Sequence, residues 1–127
     1  FKVMIDAAHC GDSDLSIAEN EKVIQDLAKN DALGIFHASA KTTRGCLSTD
    51  DGWIGALLAA YAPTGKLKHV FVELFHHQDP ALAPLRKAVK GHGVDTTDGR
   101  TYNRTVTDGV IEVAHRLNNL AARKMIK

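Results

Sequence analysis

Strand-like and helix-like segments alternate along the chain, which predicts an α/β domain over residues 1–127, a mostly parallel central sheet flanked by helices. Three observations carry this reading. Short apolar runs at Lys2-Val3-Met4-Ile5, Leu33-Gly34-Ile35-Phe36-His37-Ala38 and His69-Val70-Phe71-Val72-Glu73-Leu74-Phe75 have the length and the aliphatic or aromatic character of buried strands. Between them lie segments whose apolar residues recur at helical spacing. A long amphipathic segment closes the chain.

In chain order, the first strand runs into Asp6-Ala7-Ala8-His9-Cys10-Gly11-Asp12, a small-residue stretch expected to be a loop. Ser16 followed three residues later by Glu19 matches a capping box, and Ile17, Ile24, Leu27 and Ala28 share one helical face. A helix over 17–29 is therefore expected, ended by Asn30-Asp31. The second strand leads into a polar loop over 41–51. Residues 53–62 form an apolar helical segment stopped by Pro63, with Gly65 beyond. After the third strand, Asp79 as N-cap and Pro80 at the first helical position start a helix that runs to about residue 90 and stops at Gly91. A loop over 91–103 follows. Val106, Val110, Val113, Ala114, Leu117, Leu120 and Ala121 then recur at three-to-four spacing and define the core-facing stripe of the last helix.

The bulk composition excludes several classes. At 127 residues with 44% hydrophobic and 24% charged residues, the chain suits one globular core and does not resemble a disordered segment. Sixteen lysines and arginines stand against 15 acidic residues, so charge gives no reason to expect nucleic acid as a partner. No apolar run reaches the roughly 18 residues that a membrane span needs. A chain that opens on Phe1 reads as a trimmed or processed domain. Cys10 and Cys46 are too few for a disulfide scaffold and lack metal-finger spacing. Seven histidines raise the prospect of a metal, because neutral imidazole is the commonest protein metal ligand.

Glu73 is the residue that invites a chemical reading. It stands in a run otherwise expected to be buried, where an ionised carboxylate costs several kcal/mol unless it is paired, metal-bound or protonated. In parallel α/β sheets ligands bind beyond the carboxyl ends of the strands. His9 follows the first strand, His37 closes the second, Glu73 lies late in the third, and Glu21 falls in the first turns of the helix after His9. These four are the candidate ligands or acid/base groups, with Glu19 competing with Glu21. Two imidazoles, one carboxylate and an open position make a hydrolytic zinc site, and a further carboxylate can move the proton of the bound water.

Four segments, in order, resemble the zinc-dependent N-acetylmuramoyl-L-alanine amidases of the amidase-3 type. Val3-Met4-Ile5-Asp6-Ala7-Ala8-His9-Cys10-Gly11 is similar to that family's opening strand and histidine loop. Glu21-Lys22 resembles its Glu-Lys pair, Ile35-Phe36-His37-Ala38-Ser39-Ala40 its second histidine segment, and Val70-Phe71-Val72-Glu73-Leu74 its late glutamate segment; Arg44-Gly45 echoes a further pair. The resemblance implies zinc held by His9, Glu21 and His37, with Glu73 as catalytic acid/base. It also implies a peptidoglycan fragment as substrate, cleaved between N-acetylmuramic acid and L-alanine, and an extracellular, periplasmic or phage-delivered location. His76, His77 or Arg44 would supply an oxyanion donor, and the loops over 41–51 and 91–103 a substrate groove. The chain departs from the family at Ala8 and Cys10, where glycines are usual, and in its 15-residue interval between Glu21 and His37.

Two other classes fit parts of the pattern. Asp6, Glu21, Asn103 and Asp108 with Lys90-Gly91-His92-Gly93 faintly resemble the carboxylate pattern of magnesium-dependent ribonuclease H-like nucleases. A non-enzymatic α/β module, in which Glu73 is merely salt-bridged, is the third reading.

Overall fold

The computed structural model describes residues 1–41, 52–75, 80–84 and 101–126. Among them are strand β1 (Val3–Asp6), helices α1 (Ala7–Asp12) and α2 (Ile17–Lys29), strand β2 (Leu33–Ala38), helix α3 (Trp53–Tyr61), strand β3 (Val70–Val72) and helix α4 (Tyr102–Ala122). Single 3-10 turns follow α3 at Ala62–Thr64 and occupy Pro80–Leu82. The three strands are parallel and ordered β1-β2-β3, so the fold is the expected α/β arrangement of a parallel sheet flanked by helices. No helix among the described residues is long and apolar enough to cross a membrane.

Strand order equal to chain order, with right-handed crossovers, puts both crossover helices on one face of the sheet. Ile5, Phe36 and Val70 stand in register across that face. Phe36, fully buried, meets the Tyr61 ring of α3 edge-on at 6.0 Å, and the Tyr61 hydroxyl donates to the carbonyl of Gly34. Ile24, Ile54, Leu57 and Leu58 complete this core from α2 and α3. Helix α4 joins through Gly109, where a Cβ would come within 2.6 Å of Leu74 Cδ1 and 2.9 Å of Val72 Cγ1. Only glycine lets the helix lie that close to β3.

Local chemistry sets the helix starts. Ser16 Oγ accepts from the Glu19 amide at 3.2 Å and Glu19 Oε2 accepts from the Ser16 amide at 2.8 Å, the reciprocal box expected for α2. Thr101 caps α4 through Arg104. The stretch expected to be a loop after β1 is instead the helix α1. Asp6 accepts from the His9 amide at 3.1 Å and supplies the N-cap that starts it.

Strand β3 is shorter than the 69–75 run suggested, and less buried. Its last paired residue, Val72, faces Ala38, where β2 itself ends, and Phe71 is 51% exposed. Glu73 therefore lies just past the strand. Of the helix expected over 80–90, residues 85–90 lie outside the described residues, as do 42–51 and 91–100; Tyr102 and Asn103, expected in a loop, begin α4.

One carboxylate ties the amino ends of the three strands. Asp31, in the turn before β2, pairs with Lys2 ahead of β1 at 2.9 Å and with Lys66 ahead of β3 at 2.7 Å. The Lys2 and Lys66 ammonium groups hold its acid down to about 2. The side chain is 69% exposed, so the gain is modest and salt-sensitive. Because the folded value lies below the unfolded one, this stabilisation is present above about pH 4 and is lost as pH falls toward about 2. The melting temperature of wild type should thus exceed that of Asp31→Asn near neutral pH, and thermal scans should show the gap closing across that acid window.

Candidate metal centre

The sheet register decides what meets at the carboxyl rim. Asp6, His37 and Phe71 are partners across the three strands and so share the face opposite α2 and α3. Glu73, two residues beyond Phe71, returns to that face, and its amide donates to the Ala38 carbonyl at 3.0 Å, keeping it beside β2. His37 Nδ1 donates to Glu73 Oε2 at 3.2 Å and lies 3.9 Å from Asp6 Oδ2. One ligand atom from each of the three residues falls within a 4.8 Å span. Asp6 is 5% exposed, His37 22% and Glu73 36%, so the cluster grades from core to solvent.

This spacing suits a divalent ion. Bonds of about 2.0–2.1 Å in a tetrahedron separate ligand atoms by about 3.3 Å, and the His37–Glu73 pair already has that separation. Asp6 Oδ2 lies farther out, 3.9 Å from His37 Nδ1, and the three donor atoms fall within 4.8 Å of one another, so the Asp6 arm must draw in for all three to contact one ion. Two carboxylates also supply the charge to balance a dication, and an ion on Nδ1 would take the place of the proton now shared with Glu73. Imidazole with carboxylates is a donor set that accepts zinc, manganese or iron.

Of the four residues singled out in the sequence, the structure brings His37 and Glu73 together and adds Asp6. His9 lies exposed on α1, tied to the cluster through its amide on Asp6, and its ring is not among the grouped donors. Glu21, half-buried on α2, is also outside the group. The rival Glu19 is committed to its cap, and the hydrogen bonds from Ser16 hold its acid below the usual carboxylate range. His69 packs its ring 6.5 Å from that of Phe71, which in turn lies 5.6 Å from that of His37. Asp108, named in the nuclease pattern, is on α4 in an ion pair with Arg104 at 2.9 Å. His76, His77, His92, Arg44 and Cys46 lie outside the described residues. The sequence signal for Asp6 was its place as the last residue of the first strand, a counterpart of His37 in the second.

Two further groups border the cluster. Ser39, two residues beyond His37, is fully buried, and its Oγ has no hydrogen-bond partner among the described residues. Cys10, on α1, is a free thiol, and burial first and the Asp6 charge second push its pKa up. Its thiol therefore stays protonated at neutral pH and is a poor nucleophile.

No protein-family model matches the chain, and no match is found among curated proteins or solved structures. The fold and the cluster define what is in hand: an α/β domain with a hydrolase-like, candidate metal-binding group of Asp, His and Glu at the rim of a parallel sheet.

The link between Asp6 and Cys10 gives a direct readout of the charge at the rim. Alkylation of Cys10, followed by mass spectrometry of its peptide, should be slow in wild type at pH 8 and faster in Asp6→Asn. Equal rates would show that Asp6 exerts no charge effect on the thiol.

Proposed function

We propose that the chain is a metal-dependent hydrolase, with zinc held at the rim cluster by Asp6 and His37 and with Glu73 as the acid/base beside it, that cleaves the amide between N-acetylmuramic acid and L-alanine in peptidoglycan. The observation that carries the metal is the convergence of three donor atoms within 4.8 Å at the carboxyl rim, where α/β sheets place their sites. The amide specificity is supported by the ordered resemblance of four segments to the amidase-3 type. Two of those segments contribute His37 and Glu73 to the cluster.

An ion held there would polarise the amide carbonyl and activate a water molecule for attack on it. Hydrolysis would break the C–N bond and needs one proton moved from that water to the leaving amine. Glu73, the most exposed of the three, would accept the water's proton and hand it to the amine.

Metal analysis of the purified chain, supplied with zinc and free of chelator, tests this reading. About one zinc per chain is expected in wild type, with large losses in His37→Ala and Asp6→Asn and retention in His9→Ala and Glu21→Gln. Loss in the His9 and Glu21 variants, with Asp6→Asn unaffected, would instead give the ligand set implied by the resemblance, His9, Glu21 and His37. On peptidoglycan fragments Glu73→Gln should cost about 10²–10⁴ in rate. Wild-type protein that takes up no zinc would overturn the proposal and leave the non-enzymatic α/β module; activity that requires magnesium would favour the nuclease.

A further inference from the structure

Strand β3 ends the sheet order, and among the described residues no strand pairs with its outer edge. His69 and Glu73 direct their backbone groups to β2, so by alternation the amide and carbonyl groups of Val70 and Val72 point outward. Along that edge runs a groove of about 490 Å³ between β3 and α4, walled by Val70, Val72, Val110, Val113 and Leu117. Among the described residues its one charged lining residue is Lys68, exposed and in no ion pair with any of them. Phe71 lines this groove and also borders the cluster, its ring 5.6 Å from that of His37.

We propose that this edge binds the peptide part of the substrate as an added strand, antiparallel to β3, with its acylated amino end at the metal cluster and its free carboxylate at Lys68. The inference rests on the amide-hydrolase reading and names the substrate class: a short N-acylated peptide with small apolar side chains and a free carboxyl terminus. An exposed strand edge recognises extended peptide through main-chain hydrogen bonds, while a flanking apolar groove selects alternate side chains. The direction follows from charge and position. Lys68 lies before β3 and attracts an anion, whereas Glu73 follows β3 and belongs to the cluster. From Lys68 to Glu73 the chain spans about 17 Å at about 3.3 Å per residue, the length of a peptide of four or five residues.

Isothermal titration with N-acetyl-Ala-Val-Ala-Val as the free acid tests the site. Ala114, exposed on the groove wall, can be changed to Trp with little risk to the core. Ala114→Trp should weaken binding by about tenfold or more, and N-methylation of alternate peptide amides by a similar factor. The C-terminal amide of the peptide, and Lys68→Ala, should each lose about three- to tenfold. Peptide bound but never hydrolysed by wild type supplied with zinc sinks the hydrolase alone, which separates this proposal from the metal reading. No binding by wild type at millimolar peptide, or binding indifferent to both Ala114→Trp and N-methylation, overturns the added strand. Equal affinity for acid and amide overturns the assigned direction. A concentration-dependent dimer in sedimentation that Ala114→Trp abolishes would seat a second copy on the edge and likewise overturn it.

Discussion

Asp6 turns its two carboxylate oxygens to different tasks: Oδ1 accepts the His9 amide and starts α1, while Oδ2 faces His37 at 3.9 Å. A carboxylate only 5% exposed is costly to bury without such partners, and the surrounding structure is arranged to supply them. The parallel register then fixes the rest of the row, because a residue opposite Asp6 on β2 is His37 and one opposite His37 on β3 is Phe71. Slipping either pairing by one residue would send His37 to the helix-covered face and Phe36 out of the core. Fold stability and cluster assembly are thus satisfied by the same alignment.

The two ends of the sheet handle charge differently. At the amino ends Asp31 joins two lysines in solvent, where water screens the attraction and the pair serves as a clasp. At the carboxyl ends two carboxylates converge on one imidazole within a 4.8 Å span. Like charges gathered on a partly dry surface repel, and a cation relieves that repulsion.

Much of the fold was legible because its signals are local. The capping box at Ser16 and Glu19, the helical period of α4 and the β-branched runs are each visible within a dozen residues, although of the α4 stripe expected to face the core Val113 and Leu120 are buried while Val110, Ala114 and Ala121 are exposed. Helix α1 was not: six residues are too few to display a period, and its start depends on one cap. The end of β3 was equally hidden, since it is set by where β2 stops, at Ala38. For the cluster, His37 and Glu73 stood out as polar groups in apolar runs. Asp6 was named only in the nuclease pattern and not beside His37 and Glu73, because that grouping depends on cross-strand register, and register is a property of pairs far apart in the chain. His9 and Glu21 were suggested by position and by resemblance, and neither signal encodes a distance.

The lone tryptophan sits one peptide bond from the centre of this network. Trp53 Nε1 donates to the carbonyl of Ala7 at 2.9 Å, immediately after Asp6, while the Lys41 ammonium lies 4.6 Å from the ring centre. Any rearrangement of Asp6 that tilts the first turn of α1 must alter the field felt by that indole. The molecule therefore contains its own optical gauge, in which ultraviolet emission from one chromophore follows what happens at the rim without a label.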